Sequence, residues 1–397
     1  MADTLDDGAT FNDPFSTDPA DPANRTAIQT HVIQLIGNTP AGATIRISTF
    51  LFASGAYRDA LLNAHARGVN VQLLVDSSLT YDTSGTTFFE LANGLGRDVT
   101  KSSFAVQCPA GSGCIGDGID HDKFFLFSST SGRSKVVVQT SANMIDHVDK
   151  GNSGLTSWNN AVTLVDEPVI YDAYVARFTA MRDTNTSTPY SSTVGTNAKV
   201  YFFPKPDADP TSASSSTLLG VLDNVDCSGH NTTGGWGPNH LTSIHVAMFD
   251  LSDVNIAGKL WALDNAGCVV HVVRTNHGTD DDNAIATLNN CDNHNGVTID
   301  SVHWRVNGDD NNTSADEAIG FIHSKYLVID GFYAGSPNQR LVWTGSYNYT
   351  IGALKHNDEA LLKIWNHNAI FDAFQSNFQT LAAQSYQTTQ AGTCSFQ

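Results

Sequence analysis

The chain has 397 residues, of which 41% are hydrophobic, which is enough for a large core in one large unit or two packed ones. Asp and Glu number 40 against 21 Lys and Arg, a formal net charge of −19. A field of this sign repels nucleic acid and strongly anionic membranes. We therefore expect no nucleic-acid partner and only transient contact with a membrane or micelle surface.

Residues 1–24 are rich in Asp, Pro and Ala, and we expect them to form an extended N-terminal lead-in. The first seven residues are acidic and lack an apolar stretch, so we expect the chain to be the mature form of a secreted protein.

The even number of cysteines also favours an extracellular, disulfide-containing protein. None of the six forms a C-x-x-C pair, which disfavours a zinc ribbon. Cys108 and Cys114 flank a short flexible loop that a disulfide could bridge, but the sequence leaves the overall pairing open.

Strand and helix patterns then alternate, and the alternation occurs twice. The sequence predicts a strand, a helix and a strand at 44–50, 57–67 and 68–76, and again at 243–249, 256–265 and 267–273. Helical stretches with the shared Ile-(Tyr/Phe)-Asp-Ala pattern begin at Ile170 and Ile370. This internal duplication predicts an α/β fold with two similar halves, 25–190 and 195–390, joined by the Ser/Thr-rich segment 184–196.

Each half carries one apolar strand with a histidine and a lysine two positions apart, namely His121 with Lys123 and His323 with Lys325. Residues i and i+2 of a strand project to the same side. A lone histidine on an apolar strand is more often an ordinary core residue, but lysine is almost never buried without a partner. Two such pairs in a duplicated chain predict an anionic centre between them.

A polar segment follows each of these strands. Ser141 and Asn143 come after the first, and Ser346 and Asn348 after the second. Such residues favour turns in any protein. Their hydroxyl and amide donors can also bind an oxyanion at a strand end, so we interpret all four as phosphate-binding residues.

The pattern H-x-K-x-x-x-x-D followed by G-S-x-N, present twice, resembles the phospholipase D superfamily. The second copy matches in full and includes Asp330 as a supporting residue; the first has Ser128 in place of the Asp and Thr140 in place of the Gly. The resemblance implies two α/β/α halves with mixed sheets, packed with pseudo-twofold symmetry around one active site.

The resemblance also implies roles for individual residues. His121 is the expected nucleophile, which forms a phosphohistidine, and His323 the expected acid and base. Lys123 and Lys325 stabilise the charge on the phosphate oxygens. The family carries an acidic residue after G-S-x-N that orients a catalytic histidine; Glu359 fills this position in the second half and Asn160 in the first.

We therefore expect a secreted, monomeric phosphodiesterase of phospholipase D type, without metal or cofactor. Its expected substrate is a phospholipid or glycerophosphodiester headgroup, which is hydrolysed or transferred to an alcohol. A nuclease of the same superfamily and a catalytically silent phosphate-binding relative are the alternatives. The acidic clusters at 280–282 and 309–310 are interpreted as solvated loops rather than calcium sites. Trp158 and Trp236 are either substrate-facing or packing residues.

Overall fold

The structure, a computed structural model, describes residues 5–78, 86–146, 154–228, 238–276, 282–291, 294, 296–303, 320–385 and 387–390. The strands of the first half are β1 (Gly8–Asn12), β2 (Thr44–Thr49), β3 (Phe52–Ala53), β4 (Asn70–Val75), β5 (Phe104–Gln107), β6 (Lys123–Thr130), β7 (Arg133–Thr140), β8 (Met144–Ile145) and β9 (Ser157–Leu164). Its helices are α1 (Ala27–Gly37), α2 (Gly55–Ala66), α3 (Thr86–Leu95) and α4 (Pro168–Arg182).

The second half repeats this series. Its strands are β10 (Ser191–Val194), β11 (Ala198–Phe203), β12 (Val225–Asp226), β13 (Ser243–Met248), β14 (Val269–Asn276), β15 (Thr298–His303), β16 (Phe321–Ile322), β17 (Lys325–Tyr333), β18 (Ser336–Gly345), β19 (Glu359–Ile364) and β20 (Gln387–Gln390). Its helices are α5 (Thr217–Asp223), α6 (Val254–Asn265), α7 (Asp282–Leu288), α8 (Ile351–Lys355) and α9 (Asn368–Gln384).

Two large mixed sheets share one strand order. The first runs β1-β9-β7-β6-β2-β4-β5, and the second contains the matching series β11-β19-β18-β17-β13-β14-β15. In each sheet the three strands at the end of this series are parallel and the others antiparallel. The predicted α/β fold with two similar halves is confirmed.

Equivalent helices also begin in equivalent ways. Ser54 caps α2, where its hydroxyl accepts a hydrogen bond from the N–H of Tyr57 at 3.1 Å. Asp253 caps α6, where its carboxylate accepts from the N–H of Asn255 at 2.9 Å. Ser and Asp at these positions satisfy N–H groups that would otherwise lack a partner at the helix start. The same strand–cap–helix unit is thus encoded in both halves.

The N-terminal lead-in belongs to the first half rather than preceding it. Strand β1 pairs antiparallel with β9, as β11 pairs with β19 in the second half. The buried Asn12 amide at its end donates to the carbonyl of Ser157 at 3.1 Å. The predicted boundary at residue 25 therefore falls inside the repeat, because the short strand Gly8–Asn12 is defined by pairing with a distant strand and not by its own pattern.

Helices α4 and α9 pack in the interface between the halves. The Tyr174 ring of α4 lies 5.2 Å from Phe124 in its own half and 4.9 Å from Phe202 in the other. The Phe374 ring of α9 lies 5.0 Å from Tyr326 in its own half and 5.0 Å from Phe11 in the other. These edge-to-face aromatic contacts join both sheets into one continuous core.

A buried ion pair also joins the halves. The Arg177 guanidinium, on α4, lies 2.9 Å from the Asp358 carboxylate of the second half, and both side chains are buried. The same carboxylate accepts hydrogen bonds from the N–H groups of Ile115 and Gly116, both at 3.0 Å. Since buried charges must be paired and hydrogen-bonded, this cluster fixes the contact between the two halves.

Disulfides join Cys108 to Cys114 and Cys227 to Cys268, and Cys291 is disulfide-bonded as well. The Cys108–Cys114 loop that the sequence suggested is thus present. None of the helices in the described ranges is long and apolar enough to cross a membrane.

Replacing Arg177 with methionine leaves the Asp358 carboxylate buried without its cation. We expect the free energy of unfolding to fall by about 3–5 kcal/mol. Arg182→Met is the matched control, because Arg182 lies on the same helix but pairs with Asp183 at the surface; it should cost under about 1 kcal/mol. Urea denaturation measures both, and equal losses in the two variants would contradict this role of the buried pair.

Candidate active site

His121 and His323 lie at the junction of the halves, each two residues before a strand, β6 or β17, that begins at the motif lysine, whereas the sequence predicts that the histidines lie on these strands. The N–H of His121 donates to the carbonyl of Asp358 at 2.9 Å, and the N–H of His323 donates to the carbonyl of Trp158 at 2.8 Å. Strand β16, just before His323, pairs in parallel with β9 of the other half. Each histidine backbone is therefore held by the half that does not contain it.

The imidazole rings are held in the same reciprocal way. Nδ1 of His121 lies 2.8 Å from a carboxyl oxygen of Glu359, and Nδ1 of His323 lies 2.9 Å from the amide oxygen of Asn159. The two rings thus have the same geometry with different partners, a carboxyl group for one and an amide for the other.

The partner of His323 is Asn159 and not Asn160, which corrects the position expected from the sequence. The N–H of Ser141 donates to the carbonyl of Asn160, as that of Ser346 donates to the carbonyl of Ala360. Asn160 is therefore equivalent to Ala360 in the repeat, and Asn159 to Glu359. The equal spacing of Ile170 and Ile370 in the two halves gives the same alignment from sequence alone.

Asn160 supports the site through the backbone. Its amide group donates to the hydroxyl of Thr344 at 2.6 Å, and its oxygen accepts the N–H of Lys325 at 3.2 Å. Asn160 thus fixes the start of β17, which carries Lys325, across the interface between the halves.

Both motif lysines are buried beside the histidines. The Lys123 ammonium donates to the carbonyl of His121 at 2.7 Å, and the Lys325 ammonium donates to that of His323 at 2.9 Å. Burial lowers the pKa of Lys123 to about 8, against the opposing charge of Glu359. Burial, and then the charge of Lys123, lowers the pKa of Lys325 well below its usual range. The two ammonium groups therefore lie close enough to repel each other.

Both histidines are disposed to be neutral. Burial, followed by the charges of Lys123 and Lys325, lowers the pKa of His121 well below its usual value. The pKa of His323 is also lowered, first by burial and then by the charges of Lys325, Lys123 and His121. Each lysine thus acts on the histidine of the opposite half, and the four side chains share one electrostatic environment. The Lys325 ammonium also lies 3.1 Å from Nε2 of His323, the ring nitrogen that faces away from Asn159.

The serines predicted to bind phosphate make structural hydrogen bonds. The Ser141 hydroxyl donates to the Asn159 oxygen at 2.9 Å and accepts the N–H of Asn160 at 3.0 Å. The Ser346 hydroxyl accepts the N–H of Ala360 at 3.0 Å. Both hydroxyls therefore hold the strands that carry the histidine partners.

The asparagines of the two motifs differ in exposure. Asn143, after β7, is buried, and Asn348, after β18, is half-buried. Each follows its motif serine by two positions, at the end of the strand beside the histidine strand of its own half. They remain our candidates for binding phosphate.

The motif aspartate acts far from the histidines. Asp330 is buried and lies five residues along β17 from Lys325, about 17 Å at the usual strand rise. In the first half Ser128 takes this position, and its hydroxyl accepts the N–H of Thr44 at 2.8 Å. The substitution thus keeps a side-chain contact to the backbone of the neighbouring strand β2.

Two aromatic residues that were not predicted stand beside the motif side chains. The Phe50 ring lies 5.4 Å from the His121 ring and 5.3 Å from the Lys123 ammonium. The Phe249 ring lies 4.7 Å from the His323 ring and 5.0 Å from the Lys325 ammonium. The repeat could have revealed them, because each is the last residue of the same predicted strand of its half.

Comparison with known proteins identifies the family. A family model described as "Cardiolipin synthase, PLD-like domain" matches residues 32–182 and 240–382, most of the chain. The chain belongs to the phospholipase D superfamily. The resemblance found in the sequence is thereby confirmed. No curated protein sequence matches the chain.

Two solved structures with TM-scores above 0.5 show the same fold. Phosphatidylserine synthase from Haemophilus influenzae is 12% identical with a TM-score of 0.54, over 92% of this chain and 86% of its own. Polyphosphate kinase from Porphyromonas gingivalis is 11% identical with a TM-score of 0.55, over 94% of this chain. This chain covers only 50% of the length of that kinase. Yeast tyrosyl-DNA phosphodiesterase is 9% identical with a TM-score of 0.45, over 90% and 89% of the two chains.

Members of the phospholipase D superfamily act on phosphodiester bonds. In this chain, buried aspartates also lie close enough to Lys123 to act on its charge. Burial, and then the charges of Asp358 and Asp122, raise the pKa of Asp120 well above its usual value. Burial raises the pKa of Asp122 to about 7, against the charge of Arg177. Asp122 lies between His121 and Lys123 in sequence and is fully buried.

The other sequence candidates contribute little to this site. Trp158 is a core residue, while Trp236, Asp280, Asp281, Asp309 and Asp310 lie outside the described residues. In the part of the chain that the structure describes, one trio of metal-ligand side chains lies close together, Cys108, Cys114 and Asp120. Both cysteines are in a disulfide, so this trio offers no thiolate.

Glu359→Gln would give His121 the amide partner that His323 already has. A carboxylate stabilises a positively charged imidazole, so its removal should lower phosphodiester turnover by about 100-fold or more. The acid limb of the pH profile of kcat/KM should also move to lower pH, because the pKa of His121 falls further. Both quantities are measured with bis(4-nitrophenyl) phosphate. Glu90→Gln, at the surface, is the control; an unchanged profile in folded Glu359→Gln would rule out this role.

Proposed function

We propose that this chain is a phospholipase D-type phosphodiesterase that removes the headgroup from a phospholipid or glycerophosphodiester. The supporting observation is the arrangement of His121, Lys123, His323 and Lys325. All four side chains are buried together, and burial lowers the pKa of each of them. A phosphodiester brings a negative charge to the two lysines, and the fixed lysines stabilise the added charge of the transition state.

In the first step Nε2 of His121 attacks phosphorus, and the bond from phosphorus to the leaving alcohol oxygen breaks. Nε2 of His323 gives its proton to that oxygen, which leaves as the neutral alcohol. In the free enzyme the pKa of His323 is lowered by burial and by both lysines. The charge of the bound diester offsets the lysines, which raises this pKa and loads His323 with the proton it must donate.

In the second step the neutral His323 takes a proton from water as its oxygen attacks phosphorus. The bond from phosphorus to nitrogen breaks, and its electron pair returns to His121. An alcohol in place of water gives a transferred phosphodiester by the same movements.

The unequal partners of the histidines support this assignment of roles. A phosphorylated imidazole is cationic, and the Glu359 carboxyl group can balance that charge beside His121. His323 only gains and loses a proton, and the neutral Asn159 amide orients its ring without fixing a charge.

Charge favours a lipid headgroup over nucleic acid. The chain carries a net charge of −19, which opposes a polyanion but not a single zwitterionic headgroup. A nuclease of the same superfamily is the second candidate, which the small number of Lys and Arg residues disfavours. A silent phosphate-binding protein is the third.

The words "synthase" in the matched family and in a structural neighbour point to alcohol transfer as well as hydrolysis. We further propose that the protein is secreted and monomeric and meets a membrane or micelle only transiently. The disulfides support an extracellular location.

The two histidines should fail at different steps. With bis(4-nitrophenyl) phosphate the leaving group needs no proton, so His323→Ala should release one equivalent of nitrophenolate and then stall as the phosphoenzyme. His121→Ala should show no burst, and both variants should lose about a thousandfold in steady-state turnover. Stopped-flow absorbance and mass spectrometry of the phosphopeptide measure this.

His356→Ala is the matched control, since His356 is exposed and pairs only with Asp117 at 2.8 Å. It should turn over like the wild type. A burst in His121→Ala instead would exchange the two roles, and near-normal turnover in both variants would end the two-histidine mechanism.

A substrate panel tests the class of phosphodiester. Phosphatidylcholine, glycerophosphocholine and plasmid DNA are each incubated with the wild type and with the double variant His121→Ala/His323→Ala, with ethanol present. We expect choline release and formation of phosphatidylethanol by the wild type only, measured by mass spectrometry. Plasmid nicking at low salt without choline release would favour the nuclease, and phosphate binding without any turnover the silent relative.

A further inference from the structure

A second pair of lysines lies side by side outside the candidate active site. Lys199 on β11 and Lys363 on β19 are directly opposite each other in the antiparallel ladder. Like charges at such positions destabilise a sheet. Within the described residues, neither ammonium forms an ion pair with a carboxylate. Because the chain has 40 acidic residues, the lack of a carboxylate partner for these two lysines among the described residues requires an explanation.

Both lysines line a cavity of about 320 Å³, together with Tyr333, Gln339 and Trp365. This volume is at the lower end of the range for small-molecule sites, and the mixture of aromatic walls with a few polar groups is typical of them. Lys363 lies four residues along β19 from Glu359, about 13 Å at the usual strand rise. The cavity is therefore separate from the phosphodiester site.

Aromatic rings position both ammonium groups without neutralising them. The Lys363 ammonium lies 4.6 Å from the ring centre of Tyr333 and 5.5 Å from that of Trp365. The Lys199 ammonium lies 4.5 Å from the ring centre of Tyr201. Cation–π contacts hold a charge in place but accept none of its N–H bonds in the way that a carboxylate does. The donors of both lysines are thus left for an anion.

We propose that this cavity is a second ligand site, which binds a small organic anion. Its carboxylate or phosphate group lies between Lys199 and Lys363, and its ring or short apolar part packs on Tyr333 and Trp365. The chain as a whole is acidic, so the positive charge of this cavity is a local feature. It attracts the anion electrostatically. The aromatic walls select an anion with an apolar body over a bare inorganic ion.

Protonation is linked to this binding. Burial and the charge of Lys199 lower the pKa of Lys363 to about 8. A bound anion favours the charged ammonium and raises that pKa. Binding near pH 8 should therefore take up protons, and amine-directed chemistry at Lys363 should be rapid in the free protein and slow in the complex.

Competitive labelling tests the proposal on the full chain. Acetic anhydride modifies lysines in proportion to their free amine, and mass spectrometry reports each lysine separately, which keeps this site distinct from the active-site lysines. Phenyl phosphate at ten times its Kd should slow labelling of Lys199 and Lys363 about tenfold. Benzoate in parallel distinguishes a carboxylate from a phosphate ligand, and benzyl alcohol and inorganic phosphate should each protect less than either.

Lys205 is the matched internal control, because its ammonium lies 4.9 Å from the ring centre of Tyr190, outside the cavity. Its labelling should not change with ligand. Unchanged labelling of Lys199 and Lys363 with phenyl phosphate and benzoate up to about 10 mM would overturn the proposal.

Lys199→Glu provides a second variant that should fold, since it converts the repelling cross-strand pair into an attracting one. Ligand protection of Lys363 should then disappear, while phosphodiester turnover persists. Equal protection of Lys363 in the wild type and in Lys199→Glu would also overturn the proposal. Neither readout depends on turnover, so failure here is distinguishable from failure of the proposed function.

Discussion

The structure depends on hydrogen bonds by which each half holds the motif histidine of the other half in place. The backbone at His121 is held by Asp358 and the backbone at His323 by Trp158, each from the opposite half. The imidazole rings follow the same rule through Glu359 and Asn159. Because buried polar groups need partners, neither histidine could be positioned by its own half alone. The contacts that form the interface are thus the same contacts that position the site.

The charges of the buried lysines determine that the site favours an anion. The lysines Lys123 and Lys325 come from two different strands; burial lowers both pKa values, and the charge of Lys123 lowers that of Lys325 further. Such an arrangement costs stability in the empty protein and becomes favourable when an anion enters. The second lysine pair, Lys199 and Lys363, also places two like charges side by side, with aromatic rings as neighbours in place of histidines.

Sequence reasoning succeeded where the duplication supplied a second copy. It predicted both histidine strands and the helices at Ile170 and Ile370, because each is a local pattern that occurs twice. It assigned Asn160 to the position of Glu359, because it aligned the two polar segments one residue away from the offset of 200 positions that relates Ile170 to Ile370. It also missed the sheet strand Gly8–Asn12 and the neighbours Lys199 and Lys363. Those features exist only through pairing between distant strands, which no local pattern records.

Reciprocal support also limits how the molecule can move. In many two-lobed enzymes the lobes swing apart to admit a substrate and close again around it. Here such a swing would pull Glu359 from His121 and Asn159 from His323 in the same motion, and it would break the buried contact of Arg177 with Asp358. The paired lobes therefore behave as a single rigid frame during substrate entry and release.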